Sequence, residues 1–236
     1  MLGLGNSVSG GAVQVFSPTD ISDLSIYLKN NVGVTAAQWN DSSGRNNHAV
    51  QETAGDQATV SQGGLSFESS ESDHYDFTSQ ITISAEEGFT ICVVVTLASI
   101  SANMTLLGLN NTSHFLEFTN PSGGDQADKL RIRLGSSTTA INPDGDDQFG
   151  ASEKMLLTLI RQAGGTGNIL IYKNGSILAQ SSQAANPGDG EFISLGTRNN
   201  DRFLNGTIFE FILYEKEISG TELTDLNGHL VSKHGL

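Results

Sequence analysis

The sequence is poor in the residues on which several classes of protein depend. It contains one cysteine, Cys92, in 236 residues, so an internal disulfide and a cysteine-based zinc cluster are excluded. Only 12 residues are basic against 26 acidic ones, and the net charge of −14 argues against a surface that binds nucleic acid or an anionic membrane. The longest dense apolar run, Phe89–Leu97, is shorter than the roughly 18 residues of a membrane helix. We therefore expect no nucleic-acid partner and no membrane insertion.

Basic residues are also missing from the start of the chain, where the first is Lys29. A secretory signal peptide opens with positive charge, so we expect synthesis in the cytoplasm of the producing cell. Residues 1–16 are instead rich in glycine, and we expect an arm that anchors the chain in an assembly. The residues assigned to this anchor are Leu2, Leu4, Val13 and Val15. No Pro- or Ser-rich linker divides the remainder, which predicts one domain over residues 17–236.

Strand-like segments recur along the chain between turn signals about 8–12 residues apart. Phe89–Leu97 is rich in β-branched residues and apolar on both faces, which predicts a buried central strand. In Leu130–Leu134 apolar residues alternate with arginines, which is the period of a half-buried strand. Asn174 and Gly175 separate two apolar runs and predict a β-hairpin with a type I′ turn. The pattern favours an all-β fold, an antiparallel β-sandwich.

The C-terminal part of the sequence departs from this alternation. Residues 203–214 hold too many apolar side chains for a strand with one wet face, so we expect burial on both sides or a bulge. One short C-terminal helix follows, because Ser219 and Glu222 have the spacing of a capping box and leucines then recur at helical spacing. Gly235 can close its last turn. We expect the leucines of this helix to pack over one edge of the sandwich.

Two stretches of the chain resemble one family. Residues 39–49 (WNDSSGRNNHA) resemble the opening motif of laminin-G-like, concanavalin A-like jelly rolls, and residues 203–214 (FLNGTIFEFILY) resemble their closing strand. Residues 171–175 (IYKNG) are similar to the Y-x-N-G turn of the same family. The residues that this resemblance assigns to the structural motif are Trp39, Asp41, Gly44, His48, Gly206 and Glu210.

The resemblance implies a concanavalin A-like jelly roll. That fold serves glycan-binding lectins, adhesion modules, glycan hydrolases and purely structural parts, so it does not by itself give the function. The start of the chain, MLGLGNSVSGG, also looks like the N-termini of some virion proteins of marine tailed phages. This second resemblance implies a location in the virion, with other virion proteins or copies of the chain itself as partners.

A catalytic site is not indicated by the residues. Glycan hydrolysis usually needs two carboxylates about 5–9 Å apart, and the nearest cluster is Glu210, Glu215 and Glu217. Glu210 and Glu215 are an odd number of positions apart, which would place them on opposite faces of a regular strand. Cys92 lies within an apolar run and is expected to be an inert core thiol. We therefore expect no enzymatic activity.

One acidic loop offers ligands for calcium. Asp144, Asp146 and Asp147 crowd three carboxylates into a turn, and hard cations bind such oxygen ligands. A bound Ca²⁺ ion would relieve the repulsion between the carboxylates. The alternative is a solvated acidic loop, because the spacing does not match a D-x-[DN]-x-[DN]-G calcium loop.

A second polar loop presents planar hydrogen-bonding groups of the kind that bind sugars. Its residues are Arg198, Asn199, Asn200 and Asp201. The alternative is a structural connection in which Arg202 or Asp201 holds the loop of Asp41 in place. Trp39 is the one tryptophan of the chain, and the family resemblance assigns it to the scaffold rather than to a sugar site.

These observations lead to two hypotheses of function. The first is a non-catalytic display component of a phage virion, such as a capsid decoration, baseplate or fibre protein, that forms homo-oligomers. The alternative is a carbohydrate-binding adhesion module that binds a cell-surface glycan, with Ca²⁺ as cofactor where the acidic loop holds the ion.

Overall fold

The computed structural model shows two antiparallel sheets of eight strands each, packed face to face. It describes residues 16–84, 86–119, 130–135, 137–141, 149–164, 168–181 and 189–236, with the backbone alone for residues 137–141 and 181. The predicted arm residues Leu2, Leu4, Val13 and Val15 and the predicted calcium ligands Asp144, Asp146 and Asp147 lie outside the described residues. The predicted antiparallel all-β sandwich is confirmed.

The first sheet has its longest strands at its centre. Its order is β14 (Ser176–Ser181), β13 (Ile169–Lys173), β12 (Lys154–Arg161), β7 (Phe89–Leu97), β16 (Gly206–Tyr214), β5 (Gly64–Phe67) and β4 (Thr59–Ser61), with β1 (Leu24–Leu28) also paired to β16. Strand β7 lies between β12 and β16 and is buried on both faces, as its β-branched sequence predicts. The pairing of β16 with β7 shifts between Ile208 and Glu210, so this strand is both buried and bulged.

The second sheet closes the other side of the core. Its order is β11 (Ser137–Ile141), β10 (Leu130–Leu134), β9 (Asn111–Phe118), β8 (Met104–Leu109), β15 (Gly190–Leu195), β6 (Tyr75–Ile83), β3 (Ala49–Val50) and β2 (Gln38–Trp39). Apolar side chains from both sheets form one cluster, including Val93 and Val95 of β7 and Leu116 and Phe118 of β9. Because strand side chains alternate, Phe115 and Glu117 of β9 point to the outer face of this sheet.

Turns and short helices join these strands. Asn174 and Gly175 have φ angles of 50° and 82°, which a type I′ turn requires, so the predicted hairpin of β13 and β14 is confirmed. Two single-turn 3₁₀ helices span Pro18–Asp20 and Ala54–Asp56.

Helix α1 (Gly220–His234) forms a second apolar cluster on the outer face of the first sheet. Its leucines Leu223, Leu226 and Leu230 share this cluster with Val94 of β7 and Leu156 of β12, which are central strands. The prediction that the helix covers an edge of the sandwich is therefore wrong. The central strands are apolar on both faces, and the helix removes their outer face from water. Among the described residues, no helix has the length and apolarity to cross a membrane.

The predicted capping box of α1 is also wrong. Ser219 makes no side-chain cap hydrogen bond, and Glu222 pairs instead with Lys216 at 2.9 Å. Gly220, the first helical residue, has a φ of 58°, which departs from the geometry of a regular first turn. At the other end Gly235 adopts a left-handed φ of 68° and donates to the carbonyl of Val231, as predicted for a helix stop.

The motif of residues 39–49 builds a tight loop around a carboxylate. Asp41 accepts hydrogen bonds from the backbone of Tyr27 (2.9 Å), Ser43 (2.8 Å) and Asn47 (3.1 Å), and from the Ser43 hydroxyl (2.7 Å). The backbone N–H of Asp41 donates to Nδ1 of His48 at 2.9 Å. Each bond ties the loop to itself or to β1. The alternative in which Arg202 or Asp201 holds this loop is wrong, because Arg202 hydrogen-bonds to Glu117 and Asp201 bonds to Arg198 and Arg202 within its own turn.

Two other motif residues adjoin this loop. Trp39 is fully buried, and its Nε1 donates to the carbonyl of Lys29 at 3.1 Å. Gly44 has a φ of 92°, a conformation that L side chains rarely adopt, so the loop turns where a glycine permits it.

Glu210 of β16 lies in a buried charge cluster beneath the C-terminal end of α1. Its carboxylate is 1% exposed and accepts hydrogen bonds from Lys233 (2.7 Å) and His234 (2.5 Å). Burial acts to raise the pKa of the Glu210 carboxyl, but hydrogen bonds from His234, Lys233 and Tyr27 outweigh it and leave the pKa below its ordinary value. The carboxylate therefore links the last turn of α1 to the first sheet.

This cluster predicts a dependence of stability on pH. Because the folded-state pKa of Glu210 is depressed, its stabilisation is present above the ordinary carboxyl pKa of 4.5 and is lost as the pH falls through the folded-state value. We expect Glu210→Gln to lower the free energy of unfolding by about 2–3 kcal/mol at pH 7, with the deficit shrinking below pH 4.5. Urea unfolding of the parent protein and of Glu210→Gln, from pH 7 downwards, measures the difference in their free energies of unfolding. The control is Glu153→Gln, since that carboxylate is largely exposed, and a deficit that does not change with pH contradicts the prediction.

Candidate functional site

Three connections meet at one end of the sandwich, formed by residues 68–74, 98–103 and 196–205. The last of them is bonded to both sheets. The carbonyl of Arg202 accepts from the N–H of Thr105 at 2.8 Å, and the carbonyl of Asn205 accepts from the N–H of Ala98 at 3.0 Å. The connection is therefore held by backbone hydrogen bonds and positions its side chains on a rigid frame.

A polar groove of 380 Å³ lies on the outer face of the first sheet at this end. Its floor is a row of hydroxyls, because Ser66, Thr207 and Thr96 are register partners on the adjacent strands β5, β16 and β7. The hydroxyls of Thr207 and Ser66 lie 3.1 Å apart. Gly206 lets strand β16 approach β7 closely beside this floor, since a Cβ there would lie 2.2 Å from the carbonyl oxygen of Thr96.

A second cavity of 230 Å³ continues this groove. The two share Ser69 and Asn205 in their walls, and the second is also lined by Asn103, Arg202 and Phe203. The ring of Phe203 is half-buried, with its centroid 5.8 Å from that of His74. We call the two cavities together the end groove. Its lining residues carry hydroxyl, amide and guanidinium groups and one partly exposed aromatic ring.

The predicted sugar loop does not present its four residues to one site. Asn199 and Asn200 have φ angles of 52° and 50°, and the backbones of Arg198 and Asp201 bond to each other across them, so the loop is a tight turn of type I′ geometry. Asn199, Asn200 and Asp201 are exposed at its tip, whereas Arg198 is buried. The tight turn thus separates Arg198 from the three tip residues.

Arg198 belongs to a cluster of three arginines around one carboxylate. Glu117 of β9 is fully buried and accepts hydrogen bonds from Arg131 of β10, from Nε of Arg198 at 2.9 Å and from Arg202 at 2.7 Å. We call these four residues the arginine cluster. Arg202 also lines the end groove, so the two features are continuous.

Phe115 forms the base of the arginine cluster on the outer face of the second sheet. The guanidinium carbons of Arg198 and Arg131 lie 4.3 Å and 5.1 Å from its ring centroid, within the range of cation–π contact. Burial lowers the pKa of the Arg198 guanidinium; Glu117 acts against this, while Arg202 and Arg131 lower the pKa further. Within the described part of the chain, the three positive charges therefore repel one another around one buried carboxylate.

Sequence reasoning missed Glu117 as a functional residue. Its signal was present, because Glu117 is the one acidic residue of strand β9 and stands among the apolar residues Phe115, Leu116 and Phe118. A carboxylate in such a strand requires a partner. The partners come from two other parts of the chain, and no spacing in the sequence shows that they meet.

The acidic residues considered for catalysis have separate partners. Glu215 accepts from the Ser25 hydroxyl at 2.7 Å, and Glu217 accepts from the backbone N–H of Ala163 at 3.1 Å, while Glu210 lies in its own buried cluster. Burial raises the pKa of the Cys92 thiol to about 12 and outweighs its hydrogen bond with Thr158, which acts in the opposite direction. Such a thiol is a poor nucleophile.

No metal site is formed within the part of the chain that the structure describes, since nowhere there do three or more histidine, cysteine, aspartate or glutamate side chains group so as to hold an ion. The predicted ligands Asp144, Asp146 and Asp147 lie outside that part. Calcium binding by them stays a prediction.

The fold is similar to that of several solved structures, whereas no protein-family model and no curated protein sequence matches the chain. The binding domain of Paraclostridial Mosquitocidal Protein 1 is 16% identical with a TM-score of 0.63, over 90% of this chain and 53% of that one. A Trypanosoma rangeli sialidase is 15% identical with a TM-score of 0.58, over 90% of this chain and 33% of that one. A botulinum neurotoxin type C is 18% identical with a TM-score of 0.56, over 90% and 52%.

These similarities bear on the fold. They agree with the two-sheet β-sandwich of this chain, which is the class of fold that residues 39–49 and 203–214 predict. The chain spans about a third of the length of the sialidase and about half of that of the two toxin proteins. None of the three similar proteins is described as a phage protein, and the predicted virion origin gains no support from them.

Proposed function

We propose that this protein is a non-catalytic glycan-binding module whose sugar site is the end groove. The observation that carries the proposal is the continuity of the groove, in which a floor of hydroxyls leads to amide and guanidinium groups beside the partly exposed ring of Phe203. Sugars offer hydroxyls that pair with such groups and C–H faces that pack on an aromatic ring.

The similar structures support this proposal over a role in a virion. Two of the similar proteins are toxin binding domains or toxins, and botulinum neurotoxin type C is described as interacting with two ganglioside molecules. That interaction is a property of the toxin, of which this chain matches only about half. The virion hypothesis rests on the N-terminal segment, most of which lies outside the described residues.

The carboxylates near the groove favour binding over hydrolysis. Glu68 is the one carboxylate among the described residues that line the end groove. A glycosidase of the usual kind places two carboxyl groups across its cleft, one as acid and one as base or nucleophile. The groove therefore offers groups that hold a sugar without a pair that would cleave it.

We expect binding of the purified protein to a glycan array, and loss of that binding when the groove is altered. Asn205→Ala removes the amide shared by both cavities while its backbone hydrogen bond to Ala98 remains, and we expect at least about a tenfold weaker affinity, or about 1.4 kcal/mol. The matched control is Asn200→Gly, which removes an amide from the loop tip and keeps its positive φ.

The two variants separate the groove from the predicted sugar loop. Loss of binding in Asn200→Gly but not in Asn205→Ala would move the site to the loop tip, and an array without any bound glycan would overturn the proposed function. The array is run with calcium and with chelator. Binding that chelation abolishes would show that the site depends on a metal ion, for which Asp144, Asp146 and Asp147 are the predicted ligands.

A further inference from the structure

We infer that the arginine cluster makes this protein selective for glycans that carry a carboxylate or sulfate group. The inference rests on the proposed glycan-binding function and names the class of glycan that the end groove takes. It follows from the balance of charge around Glu117, from the exposure of Arg202 and from the place of Arg202 in the groove wall.

Among the residues that the structure describes, positive charges outnumber negative ones in the arginine cluster. Three of the six arginines of the chain converge on the single carboxylate of Glu117, in a protein whose net charge is −14. The nearest further carboxylate recorded among the described residues is that of Asp201, 3.9 Å from Nε of Arg202, with a side chain that is 74% exposed. A solvated aspartate at that distance neutralises little of the excess, since water screens it.

The cluster is buried on one side and open on the other. The side chain of Glu117 is fully buried and that of Arg198 is 8% exposed, whereas those of Arg131 and Arg202 are 20% and 30% exposed. Each exposed guanidinium has more N–H donors than its bond to Glu117 uses. Nε of Arg131 is buried and has no hydrogen-bond partner among the described residues.

The position of Arg202 places part of this excess positive charge beside the end groove. Arg202 lines the second cavity of the end groove together with Asn103 and Phe203, and its Nη1 donates to Glu117 at 2.7 Å. A guanidinium that is fixed at one edge is pre-organised at the other, and its planar fork matches the two oxygens of a carboxylate or sulfate. An anion there also relieves the repulsion among the three arginines.

Matched pairs of saccharides test the inference on the full chain. One pair is a hexuronic acid oligomer and the same oligomer with its carboxyl groups reduced to alcohols; the other is a sulfated galactan oligomer and its desulfated form. Calorimetry measures each affinity at about 0.05 M and about 0.3 M salt. We expect the acidic member of at least one pair to bind about tenfold tighter than its neutral partner, with the ratio falling at the higher salt. Whichever pair shows the larger ratio identifies the anionic group.

Variants assign the preference to the cluster. Arg202→Gln is expected to bring the ratio of acidic to neutral affinity close to one, and Arg202→Lys to retain part of it. Glu117 keeps two arginine partners in both variants, and Arg131→Gln provides a second test if Arg202→Gln does not fold. The control is Arg45→Gln, because Arg45 pairs with Glu215 and not with the arginine cluster. We expect this variant to leave the ratio of acidic to neutral affinity unchanged.

The outcomes distinguish this inference from the proposed function. Equal affinities for both members of both pairs overturn the acidic preference and leave glycan binding in place. A preference that survives both Arg202→Gln and Arg131→Gln removes the arginine cluster from the explanation. Absence of any saccharide binding overturns the proposed function and this inference with it.

Discussion

Replacing Glu117 by alanine is expected to lower the free energy of unfolding by about 3–5 kcal/mol. The variant leaves Arg131, Arg198 and Arg202 beside one another without the carboxylate that accepts their hydrogen bonds. Removing one member of a buried ion pair costs this much because the remaining charge stays desolvated and unpaired, and here three charges remain. Urea unfolding at pH 7 measures the loss.

Two further variants show that the loss comes from charge. Glu117→Gln keeps the shape of the side chain and removes its charge, and we expect it to lose most of the same free energy. Glu215→Gln is the matched control, because Glu215 and Arg45 form a partly exposed pair, and such pairs contribute less than about 1 kcal/mol. If Glu117→Ala costs no more than Glu215→Gln, the arginines relax into solvent and Glu117 does not hold them together.

Replacing Asp41 by alanine is expected to lower the free energy of unfolding by about 3 kcal/mol. The variant removes the acceptor of four hydrogen bonds, and it leaves the backbone N–H of Tyr27, a donor in the buried strand β1, without its partner. A buried donor without a partner costs about 1–3 kcal/mol, and hydrogen bonds to a charged group contribute more than neutral ones. Thermal and urea unfolding measure the effect.

The geometry of the loop supplies the controls for this second prediction. Asp41→Asn keeps an oxygen acceptor and is expected to restore part of the loss, whereas Ser43→Ala removes only the bonds of the hydroxyl. Asp225→Ala changes an exposed aspartate on helix α1 and is expected to stay within about 0.5 kcal/mol of the parent protein. A loss in Asp41→Ala as small as that in Asp225→Ala would mean that water replaces the carboxylate at no cost.

Most of the long strands were predictable because their residues carry a local pattern. The apolar run of β7 indicated a central strand, and the Asn174–Gly175 pair indicated the hairpin of β13 and β14. Each of these signals depends on residues that are adjacent in sequence. The shortest strands were missed, among them β2 and β3, which have two residues each. Two residues are too few to show a period, so the pairing of these strands is decided by the sheet that they join.

The candidate site was predictable only in part. The polar loop of Arg198–Asp201 lies at the same end of the sandwich as the end groove, because arginine and asparagine in a connection lie at the surface in most proteins. The pattern did not show that Arg198 turns inward, since this follows from the tight turn at Asn199 and Asn200 and from the ring of Phe115 below it. Helix α1 was likewise predictable only in part. Its leucines were evident in the sequence, but the surface that they cover was not.

The sequence by itself determined the class of fold and the large majority of the long strands, because each depends on side-chain periods and turns within a short stretch of chain. The loop around Asp41 was indicated by the resemblance of residues 39–49 to a known motif. Only the tertiary structure decided where the charges meet. Glu117, Arg131 and Arg202 lie on strand β9, on strand β10 and on the connection before β16, and they form one cluster because antiparallel pairing and the β15–β16 connection bring them to one face. A carboxylate among buried apolar side chains requires partners, but the tertiary fold determines which residues supply them.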